Sequence, residues 1–536
     1  MAVTMSCGEA LLRLLEAYDV DAVFGLPGYH SVELYRGFKE TGIRQITPRH
    51  EQGSAYGAYG YAATTGKPGV CLLVSGPGLT NALTAIAEAY SNSFPMLVIT
   101  TMNQTHELGM AGGRMHELRA QGDIICEVTA FTHTLLDARN LPQVLGRAFA
   151  VFSSQRPRPV CIQIPTDVLE GPAEFATEPW PQASVPAPEG ATVREIAALL
   201  CGAHSPMVVL GGGAARASAE AIRLVERLDA PVVSSCAGKG IVPEDHPLCL
   251  GFAQPFEPVQ EMIGEADVVL AVGTEFAEPD RYFTDEYKIG GKLIRVDIDP
   301  EQLMAYSRPE IALLSDARLA LAAILEAMEE IGTPRVAAPG AERVTAMKEH
   351  FDGDLCEDAP KHKRVLDVIR EVLPEDTLIS ADPAQMTYTA LYHYPVRRAG
   401  CFQYPNGYAA MGFGLPFAIG AKLGAPDRPV VCFTGDGCFQ MTVEEMAVAV
   451  EWKLTLPIIV WTNGGYKVVR EYMRSKGLPN VGTDIRNPDF AALSQAFGGN
   501  GVRVQSLDHL RQALAAALNA DGPTVLEIDG DAPWLM

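Results

Sequence analysis

Short, continuous apolar runs alternate with helical stretches of about 12–15 residues along almost the whole chain. The runs are VFGLPG, VCLLVSGPG, PMLVIT and VCIQIP, then MVVLGGG, PVVSS, VVLAVG and LIRVDID, then TLISAD, PVVCFTGDG and LPIIVWTN. Between them lie patterns such as GEALLRLLEAY and VEEMAVAVEW. Unbroken apolar runs of this length suit parallel strands buried on both faces, and strand–helix alternation joins them by crossovers. The pattern predicts an α/β fold of three doubly wound parallel-sheet domains. Ligands of such sheets bind beyond the carboxyl ends of the strands, so the residues after each run carry the functional information.

Two breaks divide the chain. Residues 170–190 (EGPAEFATEPWPQASVPAPEG) hold Pro172, Pro179, Pro181, Pro186 and Pro188, which exclude a continuous helix or central strand there. A second break lies at 331–341, IGTPRVAAPGA. The predicted domains are 1–170, 190–330 and 355–536, with linkers 171–189 and 331–354.

The 536 residues carry 42 Lys plus Arg against 65 Asp plus Glu, a net charge of −23. That balance argues against nucleic acid and anionic lipid as partners, since both require a basic face. The 11 cysteines are scattered, mostly inside apolar runs such as those of Cys71, Cys161 and Cys432, and no CxxC occurs. Reduced, buried thiols in a cytoplasmic protein are expected. The N-terminal stretch lacks a basic region followed by an apolar core, so no secretory signal is expected, and no apolar run is long enough to span a membrane.

The strand and turn VVCFTGDG (430–437) place Asp436 between two glycines, a hard carboxylate where backbone can approach an anion. A helix is expected from about Val443. The strand LPIIVWTN ends at Asn463, a second hard oxygen, and the carbonyl of Gly465 offers a third. Such a set suits Mg²⁺ completed by diphosphate oxygens and water. Twenty-four residues separate Gly437 from Thr462, room for one crossover helix and the next strand.

This spacing resembles the signature of thiamine-diphosphate-dependent enzymes: GDG, then an Asn-Asn pair whose second member, here Asn463, binds the metal. The first Asn is replaced by Thr462. Two further stretches share the resemblance. PRHEQGSAYGAYGYAATTGKPGV (48–70) is similar to the segment whose glutamate, here Glu51, contacts the cofactor's pyrimidine ring. YPNGYAAMGFGLPFAIGAK (404–422) is similar to the strip whose bulky side chain, by position Met411, wedges between the cofactor's two rings. The resemblance covers about residues 5–530 and is nearest to the acetolactate synthase and 2-oxo acid decarboxylase branch. CGEALLRLLEAYDVDAVFGLPGYHSVELYRG and LGMAGGRMHEL look like 5-guanidino-2-oxopentanoate decarboxylases.

The resemblance implies pyrimidine-binding, central and diphosphate-binding domains in that order. It implies thiamine diphosphate held by Glu51, Pro27, Ala409, Met411, Gly435, Gly437, Cys438, Asp382, Gln385 and Tyr466, with Mg²⁺ on Asp436, Asn463 and Gly465. A buried Glu51 with a raised pKa would suit proton exchange with the ring. The implied reaction is decarboxylation of a 2-oxo acid to an aldehyde through an enamine. The alternative is an acetolactate synthase-like carboligase that passes the enamine to a second carbonyl. A non-catalytic nucleotide-binding homologue is a third reading, opposed by the presence of Glu51, Asp436 and Asn463. His30, Tyr29, His116 and Gln440 are the further catalytic candidates, and Val469 and Tyr472, an i, i+3 pair, are candidate pocket residues. Glu117, Asp382, Glu445 and Glu471 are candidate partners for a guanidino group. In the middle domain VVLGGGAARAS (208–218), LIRVDIDPE (293–301) and GTEFAEPDRYF (273–283) leave FAD open, with a purely structural domain favoured. A homodimer or homotetramer with active sites between subunits is implied, Glu51 and Asp436 of one site coming from different chains.

Overall fold

All eleven apolar runs form parallel strands in the computed structural model, which describes residues 5–281, 287–332, 336–350 and 356–535. The first segment supplies β1 (Ala22–Gly25), β2 (Arg44–Ile46), β3 (Gly69–Leu73), β4 (Met96–Met102), β5 (Phe131–Thr134) and β6 (Val160–Pro165). The second supplies β7 (Pro206–Leu210), β8 (Val232–Ser234), β9 (Val268–Val272), β10 (Lys292–Asp297) and β11 (Ile311–Leu314). The third supplies β12 (Leu378–Ala381), β13 (Phe402–Gln403), β14 (Val430–Gly435), β15 (Leu456–Thr462), β16 (Asn500–Arg503) and β17 (Pro523–Asp529). They build three sheets, of six, five and six strands. The doubly wound expectation holds.

The chain divides into two compact units, the first comprising 1–184, 408–503 and 516–528, the second 185–407, 504–515 and 529–536. In the first unit one sheet has the order β2-β1-β3-β4-β6-β5, and β14, β15, β17 and β16 lie side by side in that order. Every residue of β3, β6 and β14 is buried, which explains why their sequences do not alternate. In the second unit the order is β11-β10-β9-β7-β8, and β12 pairs in parallel with β13.

Helix ends follow side-chain chemistry. Ser6 Oγ accepts the N–H of Glu9 at the start of the helix Cys7–Ala17, and Asp316 accepts that of Leu319 before the helix Ala317–Ile331. Caps of this kind each contribute about 1 kcal/mol. Residues 172–189 carry no helix or strand, as the prolines require. Of the second predicted linker, residues 333–335 and 351–354 lie outside the described residues.

Within the first unit the helices Glu51–Thr65 and Gly414–Gly424 meet backbone to backbone. A Cβ on Gly60 would overlap the carbonyl of Phe417, and one on Gly420 would overlap that of Gly57. Only glycine permits so close a crossing. Among the described residues no helix is long and apolar enough to cross a membrane.

Candidate active site

β14 delivers Asp436 into a buried position just past its last residue, Gly435. The helix begins at Asp436 itself, running Asp436–Met441, rather than near Val443 as the sequence suggested. Val443–Glu445 is a separate short turn before the helix Met446–Glu451.

The loop after β15 curls around Asp436. Oδ2 accepts the N–H groups of Asn463 at 3.1 Å, Gly464 at 3.0 Å and Gly465 at 3.1 Å. That curl needs positive φ, 75° at Gly464 and 131° at Gly465. Asn487 Nδ2 donates to the same oxygen at 2.7 Å, and Oδ1 accepts the N–H of Gly437 at 2.9 Å. Gln440, a catalytic candidate from sequence, donates to Asn487 Oδ1 at 3.0 Å. Asn487 carries no motif and was not a candidate; only the fold brings it here. Tyr466 lays its ring on Gly437, where a Cβ would come within 2.6 Å of Cε1. Cys438 is buried.

The donor set of Asp436, Asn463 and the Gly465 carbonyl is all hard oxygen and carries one charge. Among the described residues no three His, Cys, Asp or Glu side chains gather as a metal cage. These residues fit a cation that takes its other ligands from phosphate, as Mg²⁺ does.

Glu51 opens the helix Glu51–Thr65 and is partly exposed in the chain taken singly, not buried as expected. Asn81 Nδ2 donates to its Oε2 at 2.9 Å. The two residues before it are clamped by Glu445, which accepts the N–H of Arg49 at 3.0 Å and of His50 at 3.0 Å. Burial lifts the Glu445 carboxyl to about 7. Glu445 therefore holds backbone and is not a carboxylate awaiting a guanidino group.

A second buried carboxylate, Glu88, does the reciprocal task. It accepts the N–H groups of Tyr408 and, at 3.0 Å, Ala410, and Asn92 Nδ2 donates to it at 2.7 Å. Burial raises it to about 7. This fixes the strip in which Ala409 has φ 55° and Gly412 φ 84°. Met411 sits in that turn, before the helix Gly414–Gly424.

After β1 the chain passes exposed Pro27 into 3-10 turns spanning Tyr29–Glu40. Tyr29 is 76% exposed, while His30 Nδ1 bonds Ser75 Oγ at 2.9 Å. The rings of His30 and His116 meet edge to face, centroids 5.1 Å apart. His116 Nδ1 is buried without a hydrogen-bond partner. Burial and the neighbouring His116 hold His30 below its ordinary pKa, against an opposing pull from Glu107. The structure thus joins two histidines 86 residues apart in sequence.

Val469 and Tyr472 lie exposed on the helix Lys467–Ser475, as does the i, i+3 face they share. Glu471, on that helix, is partly exposed. Glu117 accepts the N–H groups of Gly112 and Arg114 and so staples its own loop. Asp382 and Gln385 are buried in the second unit, after β12 and at the start of the helix Gln385–His393. In the central sheet the glycines after β7 close on Gly273 after β9: a Cβ on Gly211 would overlap the Gly273 carbonyl, and Gly213 N–H donates to that oxygen at 3.1 Å. The glycine run permits this close backbone approach. Of the stretch 273–283, Tyr282 and Phe283 lie outside the described residues.

Comparison with known proteins decides the family. The N-terminal thiamine pyrophosphate-binding domain of thiamine pyrophosphate enzymes matches residues 5–124, their central domain 193–324, and their C-terminal thiamine pyrophosphate-binding domain 382–528. The chain belongs to the thiamine pyrophosphate enzymes. A probable 2-ketoarginine decarboxylase of Pseudomonas aeruginosa is 42% identical over 98% of this chain and 94% of its own length. The acetolactate synthase isozyme 1 large subunit of Escherichia coli is 31% identical over 98% of this chain and 94% of its own. A probable acetolactate synthase large subunit of Methanococcus aeolicus is 28% identical over 98% and 92%. Glu51 lies within the matched N-terminal domain, and Asp436 and Asn463 lie within the matched C-terminal domain.

Proposed function

We propose that this chain is a thiamine diphosphate- and Mg²⁺-dependent decarboxylase of 5-guanidino-2-oxopentanoate, the chemical name of 2-ketoarginine. The observation that carries the reading is the 42% identity, over 98% of the chain, to the probable 2-ketoarginine decarboxylase. The geometry supports the cofactor. Asp436, Asn463 and the Gly465 carbonyl would hold Mg²⁺, with Oδ1 of Asp436 the better placed oxygen because four N–H donors already crowd Oδ2. Gly435, Gly437, Cys438 and Tyr466 would border the diphosphate, and Pro27, Ala409 and Met411 the rings.

Bound thiamine diphosphate supplies the electron sink that lets the bond between the carboxylate and the 2-oxo carbon break. Glu51 would carry a proton at Oε1 or Oε2 for exchange with the pyrimidine ring. Its position is set by Glu445 through Arg49 and His50. The net reaction turns R–CO–COO⁻ and one proton into R–CHO and CO₂, so a proton must reach the former carbonyl carbon. His30 is suited to move it: Ser75 occupies Nδ1, which leaves Nε2, and the lowered pKa favours ready release. His116 stands beside it, and the Tyr29 ring also meets that of His30, centroids 5.6 Å apart.

Carboligation is the second reading, favoured by the acetolactate synthase relatives near 30% identity. We also infer an assembly of at least two copies, with Glu51 and Asp436 of one site drawn from different chains; complementation between E51Q and D436A chains in mixed oligomers tests it. The test of function is CO₂ release from 5-guanidino-2-oxopentanoate with both cofactors, products identified by mass spectrometry. 4-Guanidinobutanal supports the decarboxylase; a hydroxy ketone from pyruvate supports the carboligase.

A further inference from the structure

A guanidino substrate brings a cation that stays charged at any working pH, and its natural receptor is a carboxylate. Two demands follow. The carboxylate must be sheltered from water, or the pair contributes little. It must also keep a partner while no substrate is bound, because a sheltered charge left alone is costly.

Glu107 meets both. Its side chain is 15% exposed, and Arg114 Nε lies 3.0 Å from its Oε1. Arg114 itself is 58% exposed. The carboxylate is anchored: Glu107 ends the short turn Thr105–Glu107, whose first N–H donates to Asp167 Oδ1 at 2.9 Å. The guanidinium is not anchored in the same way. Arg114 follows Gly113, and a Cβ built on Gly109 or Gly113 would meet nothing within 4 Å, so this stretch stands clear of the body. The same loop carries His116, whose ring meets that of His30. Glu107 is close enough to His30 to pull on its titration.

We propose that Glu107 is the carboxylate that binds the substrate's guanidino group, and that Arg114 is a resident stand-in which the substrate displaces. The proposal deepens the guanidino-acid reading above and rests on it. Exchange of one guanidinium for another keeps the sheltered charge paired throughout, so binding avoids the penalty of exposing an empty receptor. Substrates without a cation leave Arg114 in place.

Other carboxylates answer the demands less well. Glu117 and Glu445 spend their oxygens on backbone N–H groups. Asp484 also pairs with an arginine, Arg470 at 2.5 Å, but is 69% exposed. Glu33 pairs with Arg36, yet packs its Cγ against Gly8, on the side of the N-terminal helix.

The test compares 5-guanidino-2-oxopentanoate with uncharged 2-oxohexanoate in the holoenzyme. In E107Q the ratio of kcat/KM for the guanidino acid over the uncharged acid should fall about 30-fold, through KM, the size expected for a lost charge-assisted bond. In R114A, with no incumbent to displace, KM for the guanidino acid should fall several-fold. An equal loss on both acids in E107Q, or an unchanged or raised KM in R114A, overturns the proposal. Wild-type enzyme that releases CO₂ from 2-oxohexanoate but none from the guanidino acid overturns the substrate reading, and the proposal with it.

Discussion

The carboxylate of Glu445 fills the space that a side chain on Gly53 would need. A Cβ at Gly53 would overlap its Oε1 and lie 3.1 Å from its Cγ. Two turns of chain are thereby locked: the backbone that leads into Glu51, and the short turn nine residues beyond Asp436. Gly53→Ala should therefore force Glu445 off the N–H groups of Arg49 and His50. We expect a loss of about 1–3 kcal/mol, the usual range for an overpacked interior, read by thermal melting. Turnover should fall further than stability alone predicts, because Glu51 is displaced. An unperturbed melt would show that the carboxylate can move aside.

Glu88 and Glu445 also set a pH dependence. Burial raises both from the ordinary 4.5 to about 7 in the folded chain. The folded state thus binds more protons than the unfolded state between those values, and stability declines as pH rises from about 4.5 to about 7. Above that window the decline ceases. Glu88→Gln, which keeps an amide oxygen for Ala410, should flatten the curve and gain on wild type as pH rises. Melting temperatures of both proteins from pH 5 to 8 measure it; parallel curves would refute it.

Asn487 holds Asp436 from outside the candidate metal set, and Gln440 holds Asn487. Outer groups of this kind commonly govern metal affinity by 10–100-fold. Asn487→Ala should weaken Mg²⁺ activation about tenfold, with saturating Mg²⁺ restoring most turnover. Titration of activity against Mg²⁺ decides, and an unchanged midpoint would exclude this role.

The two histidines make a separate prediction. His116 helps hold His30 below its ordinary pKa. His116→Asn removes that influence, so the limb of the pH–rate profile that reports His30 should move to higher pH. His30→Ala should lower kcat/KM by about 100-fold or more, the usual size for a lost general acid–base group. A profile that stays put in His116→Asn would separate the two residues functionally.

Asp436 and Asn463 were legible in the sequence because a glycine-flanked acid, a crossover length and a strand end are local signals. The eleven strands were legible for the same reason. Asn487 was not, since its contact with Asp436 spans 51 residues and leaves no periodic trace. Glu445 and Glu88 sit in helical sequence where surface glutamates are common, and only packing shows that both are buried among N–H donors. The helix start at Asp436 was misplaced because two flanking glycines read as a turn, and the turn around Met411 rests on φ of 55° at Ala409 and 84° at Gly412, which residue type alone does not show. Strands β2, β5, β11, β13, β16 and β17 escaped notice as short or less apolar stretches, five of them at sheet edges.

The glycine crossing between the helices Glu51–Thr65 and Gly414–Gly424 bears on how this scaffold could be re-engineered. Glu51 opens the first helix, and Met411 lies three residues before the second. A methyl group at Gly60 or Gly420 would wedge the pair apart and shift both ends together, and one at Gly57 would press on the Phe24 ring. Directed evolution toward new 2-oxo acids should find these three positions intolerant. Diversity introduced at 109–113 or at the exposed positions of Lys467–Ser475 should be absorbed, because side chains there face solvent over much of their surface.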